Sequence, residues 1–213
     1  MKLGELKQQF KAILNNTVVN NSPTLVSTFI NQSIMRIQRE LRVPFMEKQV
    51  LYTIPESWNG KLSIPSDLLA LKGILVDADG DGINEYELNR RDLSTVIQAS
   101  QNPGHPTVYA RQGGAWILGR RPGAGDKVLI YYYAEFAALT DDASENTCLK
   151  VAWDAVLNGA LSNATDYLDD DRVERFEERY LQITRQLQEQ ADADELTANA
   201  AVSPALYYED ESW

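Results

Sequence analysis

The sequence predicts an α+β fold: a helical bundle formed by the N- and C-terminal helices, with an inserted antiparallel β module and an extended C-terminal tail. Three observations predict it. Apolar residues recur at helical spacing near both ends of the chain, over 3–42 and again from about residue 144. Between them the texture changes to short runs rich in β-branched and aromatic residues, separated by Pro, Gly, Asn and Asp. The last stretch, TANAAVSPALYYEDESW, has neither period.

Taken in order, Leu3, Leu6, Phe10, Ile13 and Leu14 lie on one helical stripe. Ser22 is placed to cap a second helix and Pro23 suits its first turn. That helix carries Leu25, Phe29, Ile30, Ile34, Ile37 and Leu41, and Pro44 ends it. The runs QVLYTIP, GKLSIP, LLALKGILV, INEYEL, PTVYARQ, AWILG and KVLIYYYAEF then read as strands of a sandwich or small barrel, with a short helix at RRDLSTVIQAS. NTCLKVAWDAVLNGALSNATDYL follows as a helix bearing Leu149, Trp153, Val156, Leu157, Ala160 and Leu161. A last helix carries Val173, Phe176, Tyr180, Ile183 and Leu187, with Asp169, Asp170 and Asp171 where its dipole favours acids. The expected organisation is N-terminal bundle helices over 1–44, the β module over 45–140, C-terminal bundle helices over 141–196 and an arm over 197–213.

Composition narrows the function classes. The chain has 213 residues, enough for one generous domain with a sizeable core, and no apolar run approaches the roughly 18 residues of a membrane span. MKLGELKQQFKAILNN lacks the apolar block of a signal peptide, and the single Cys148 excludes an intrachain disulfide. Charge is uneven: residues 1–134 carry 15 Lys+Arg and 12 Asp+Glu, for +3, whereas 135–213 carry 5 and 19, for −14, which sum to the net −11. Such a chain does not wrap nucleic acid through phosphate contacts, which need clustered Lys and Arg. Its acidic half suits repelling DNA that passes nearby.

VDADGDGINEYEL (residues 76–88) resembles half of an EF-hand loop, with Asp77, Asp79, Asp81 and Gly82 in place. Its twelfth position is Leu88, however, Glu87 is one residue short, and the flanks read as strands. A hairpin turn with a soluble acidic tip explains every residue and is preferred over an incidental calcium site. His105 in NPGHP has no neighbouring nucleophile motif, Cys148 reads as a small buried apolar residue, and GRRPGAGD (119–126) lacks the Gly-Lys-Ser/Thr of a phosphate loop. Tyr131, Tyr132 and Tyr133 alternate faces, so one or two rings face out and mark a contact surface. The expectation is no catalytic residue, no metal and no cofactor.

The order SIPSDLLALKGILV, YELNRRDLSTV, HPTVYARQGGAWILGRRPGAGDKVLIYYYAEFAAL and then a helix pair resembles the head–tail adaptor (connector, or head-completion) proteins of tailed bacteriophages, especially short-tailed ones. The resemblance spans about residues 25–190, and its motifs are structural. It implies a homo-oligomeric ring, commonly twelvefold, under the portal of the capsid. That ring extends the channel through which genomic DNA passes without sequence-specific binding, and it docks a downstream tail or nozzle protein. The implied location is the head–tail neck of the virion, after assembly in the host cytoplasm, with no membrane partner. Relatives commonly grip the portal with a C-terminal arm, which would place Leu206, Tyr207, Tyr208 and Trp213 as its anchors. The acidic stretch 77–82 maps onto no family role. Two other classes compete: a β-sandwich binding module for carbohydrate or calcium on a helical stem, and a cell-wall hydrolase using paired acids such as Asp169 and Glu174.

Overall fold

In the computed structural model, residues 1–77 and 86–199 are described. The chain starts with α1 (Leu3–Leu14), a four-residue α2 (Thr17–Asn20) and α3 (Pro23–Glu40). Local chemistry sets these ends. Glu5 accepts from the Lys2 backbone N–H, Asn15 closes α1 in the left-handed conformation, and Ser22 and Pro23 start α3 as their types predict. The short α2 was not expected. It exists because Asn16 accepts from the N–H groups of Val18 and Val19, so a single turn is capped in place.

The chain ends in α5 (Thr147–Val151), α6 (Trp153–Tyr167) and α7 (Val173–Asn199). One continuous helix was expected where α5 and α6 lie. The chain breaks at Ala152 (φ −128°, ψ 35°), and Asp154 supplies a fresh acidic first turn, its carboxylate accepting from the N–H of Ala155. Helix α7 continues to Asn199, so the first three residues of the expected arm are helical.

Helix α6 is the centre of the bundle. Ala155, Val156, Leu157, Gly159, Ala160, Leu161 and Ala164 are all buried, the all-round burial of an interior helix. Its small residues let neighbours approach: a Cβ on Gly159 would collide with Ser33 Oγ and lie 2.9 Å from the Tyr180 ring. Two expected core positions are corrected. Ile13 and Trp153 are 42% and 36% exposed, because the stripes they extend turn outward at the C-terminus of α1 and the N-terminus of α6.

Between the helical parts, after a 3-10 turn at Pro44–Met46, come β1 (Glu47–Thr53), β2 (Lys61–Ser63), β3 (Leu68–Asp77), β4 (Tyr86–Glu87), β5 (Asn89–Arg90), α4 (Leu93–Ala99), β6 (Val108–Gln112), β7 (Ala115–Leu118) and β8 (Lys127–Ala134). They form two four-stranded sheets, ordered β1-β8-β3-β4 and β2-β7-β6-β5. Pairing is antiparallel except between β5 and β6, where α4 makes the crossover a parallel pair requires. One core lies between the sheets, with Ile74, Val128, Ile130 and Tyr132 from the first and Leu62, Tyr109, Trp116 and Leu118 from the second. The outer face of the second sheet is covered by α4 through Val96, Ala110 and Ile117. The first sheet leans on the bundle: Phe45, Leu69, Tyr133 and Phe136 pack against the helical core, and the rings of Phe45 and Phe136 stack at 6.1 Å. Antiparallel pairing of β3 with β4 agrees with strand flanks for the acidic stretch; its tip, 78–85, lies outside the described residues.

Candidate interaction surfaces

The residues singled out for chemistry are scattered. His105 is exposed in the loop between α4 and β6. Cys148 is buried under α6, and burial pushes its thiol up to about 12, so at neutral pH it remains an unionised thiol. Asp170 accepts from the backbone and guanidinium of Arg172, which pull its carboxyl down to about 2. The same guanidinium donates to the carbonyls of Ile13 and Leu14, tying the end of α1 to the corner between α6 and α7. Asp169–Asp171 is thus a helix-joining corner. Residues 119–126 connect β7 to β8, with Gly125 at φ 95° donating to the Ile54 carbonyl. Among the described residues, no group of three or more His, Cys, Asp and Glu is placed to hold a metal ion.

The tyrosine run behaves differently from the expected contact surface. Tyr132 points into the sandwich and donates to Asp67 at 2.9 Å. Tyr133 does face the other way, but that face meets the bundle: its ring packs on the helical core and lies 5.8 Å from Lys72 Nζ. Lys72 in turn bridges Glu47 at 2.6 Å and Glu195 at 2.7 Å, clasping α7 to the first sheet. Hydrogen bonds that it donates to Glu195 and Glu47 hold the ammonium charged well above the usual lysine range. The portal-arm candidates Leu206, Tyr207, Tyr208 and Trp213 lie outside the described residues.

Two kinds of surface remain that could receive another protein. One is a groove where α1, α6 and α7 meet, lined by Ile13, Trp153, Leu157 and Phe176 and rimmed by Arg175 and Arg179. The other is basic. Arg90, Arg91, Arg111, Arg120 and Arg121 are exposed on the second sheet and its loops, and none forms an ion pair with a described residue. Sequence reasoning missed both. The signal for the second was present: residues 88–125 hold five arginines against one acid, Asp92. Averaging over 1–134 diluted it to +3.

The chain matches the family described as SU10 adaptor protein over residues 1–205. That match spans helices and sheets alike, so the chain belongs to this family of bacteriophage adaptors, which is not an enzyme family. No match to a curated protein was found.

Proposed function

We propose that this SU10 adaptor is a head–tail adaptor: identical copies form a ring beneath the portal, extend the DNA channel and offer a platform to the next tail protein. The family match over residues 1–205 carries the reading. Two physical features support it. A ring needs a subunit whose flanks differ, because a head-to-tail contact joins unlike surfaces, and this chain has an acidic helical part and a basic sheet. A channel for DNA needs walls that do not hold phosphate, and an excess of carboxylates meets that need.

The C-terminal residues are the proposed grip on the portal. Leu206, Tyr207, Tyr208 and Trp213 concentrate apolar and aromatic surface within eight positions, and Tyr and Trp are the types that anchor interfaces. Copies carrying a net −11 repel one another, so the portal serves as the template that offsets the cost of closing the ring. Deleting residues 200–213 tests this. Binding to portal rings, measured by sedimentation, should be abolished while the melting temperature of the body stays unchanged. Wild-type affinity in the truncated chain would remove the arm from the proposal, and absence of any ring on the portal by electron microscopy would remove the adaptor ring itself.

A further inference from the structure

We infer that the arginine end of the second sheet is the surface by which one copy docks on the acidic α6–α7 flank of a neighbouring copy. The inference rests on the ring reading above and assigns the two unlike flanks that such a ring needs.

Strand register brings the arginines together. Asn89 and Arg90 pair with Val108 and Tyr109 on one side of β6, and the N–H of Arg91 bonds the Tyr109 carbonyl at 2.9 Å. On the other side, the N–H of Gly119 bonds the Val108 carbonyl at 2.7 Å, so Arg120 and Arg121 leave β7 at the same level. With strands about 4.8 Å apart, the two pairs flank the start of β6 within roughly 10–15 Å. Arg111 follows two residues along the same strand from Tyr109, and it shares a cleft with Arg90, Tyr109 and Trp116. Arg121 shares another with Lys61, Trp58 and the exposed Ile97.

Two nearby acids are already committed. Asp92 takes bonds from Ser94 and from the backbone and hydroxyl of Thr95, which pull it down to about 2; Asp126 takes one from Gly123 N–H. A carboxylate supplied by another copy can therefore meet these arginines. The chain has the complement elsewhere: exposed Asp166, Asp169, Asp171, Glu174 and Glu178 on α6, α7 and the corner between them form no ion pair with a described residue. A fit of like copies through unlike patches is the heterologous contact that closes a ring. The residue types favour protein over DNA as the occupant. Guanidinium forks match carboxylates bidentately, and arginines set beside the half-buried Trp58 and the exposed Ile97 have the composition of a protein interface.

The test uses full-length chain assembled on portal rings. R90K/R91K/R120K/R121K keeps the charge and introduces amines, so a zero-length carbodiimide can join these positions to a neighbour's carboxylates. With isotopically light and heavy copies mixed, light–heavy cross-links should run from positions 90, 91, 120 and 121 to Asp166, Asp169, Asp171, Glu174 or Glu178, and fall away in high salt. In parallel, R90E/R91E/R120E/R121E should weaken ring closure roughly tenfold or more, with D166K/D171K/E174K/E178K restoring it when the two variants are mixed. Rings that form with inter-copy cross-links only elsewhere would overturn this inference and leave the adaptor ring standing. Absence of rings would overturn both. If the wild type binds duplex DNA and R90E/R91E/R120E/R121E loses that binding while closing rings normally, the patch serves nucleic acid and the inference is wrong.

Discussion

The helical bundle and the β sandwich each bury a tyrosine whose hydroxyl donates to a carboxylate that is in turn paired with a cation. In the bundle, Tyr180 donates to Glu40 at 2.7 Å, and Arg36 Nε reaches Glu40 at 2.8 Å. In the sandwich, Tyr132 donates to Asp67 at 2.9 Å, and Lys48 reaches Asp67 at 2.6 Å. The difference lies in the cation. Arg36 is only 23% exposed, lies 4.1 Å above the Tyr180 ring and grips Glu177 with both terminal nitrogens, while Ser162 adds a further bond to that carboxylate. One arginine thereby fastens α3, α6 and α7. Lys48 is a point charge at the rim of one strand. The bundle uses its polar network to fix how three helices meet, whereas the sandwich relies on strand pairing and needs the ion pair only to satisfy a hydroxyl. A shared motif carries weight in proportion to how many elements it joins and how much water it excludes.

Removing the cation from each side should separate the two networks most clearly. Arg36→Met leaves Glu177 and Glu40 without their partner beside a buried ring, and should cost about 2 kcal/mol, a figure already reduced for partial solvent exposure. Lys48→Met should cost clearly less, since Lys48 is 55% exposed and pairs with one carboxylate. Paired denaturant melts read both; equal losses would mean that the Arg36 network is no more than a surface ion pair. The effect carries a pH signature. Arg36 holds the Glu177 carboxyl below its ordinary range, with burial opposing and Ser162 assisting. A depressed carboxyl stabilises in full above its unfolded value and loses that contribution as pH falls through the folded one. The gap between wild type and Arg36→Met should therefore narrow on acidification below the ordinary glutamate range, about 4.3.

A second comparison concerns space. Gly159→Ala puts a methyl against Ser33 Oγ and the Tyr180 ring, backed by three packed helices, and should cost about 1–3 kcal/mol by overpacking. Gly114→Ala, at the β6–β7 turn with open space around it, should change the melting temperature little. Similar losses at both sites would refute close packing as the reason for glycine on α6.

These sites explain what was legible in the sequence. Helices and strands followed from periodicity and caps, since Ser22-Pro23, Pro44 and alternating apolar runs act over a few residues. The α5–α6 break escaped because Ala152 is itself a good helix former and the cause is a competing start at Asp154. The surfaces were legible least. Arg90 and Arg121 are thirty-one positions apart and meet through the register of β5, β6 and β7, which no local pattern encodes. The outward turn of Ile13 and Trp153 likewise depends on where neighbouring helices stop.

The smallest effect expected is that of calcium, and it probes the β3–β4 region directly. An EF-hand ligand set on residues 77–88 would need Asp77 at its first position and an acid at its twelfth. Asp77 is 3% exposed and lies 3.7 Å from the ammonium of Lys127 on β8, so it already serves the sheet. The twelfth residue, Leu88, is buried in the sandwich core. Glu87, the nearest acid, sits in β4 opposite Leu75, its carboxylate lying over Gly73, where a Cβ would come within 2.9 Å. Recruiting Glu87 would mean shifting β4 by one residue and turning Leu88 out of the core, which undoes the register. A true site occupied at 100 times its dissociation constant would add about 2.7 kcal/mol. Melts in millimolar calcium and in chelator should instead coincide. A rise of several degrees with calcium, absent in Asp79→Ala, would show that the acidic stretch binds the ion and that β4 moves to do so.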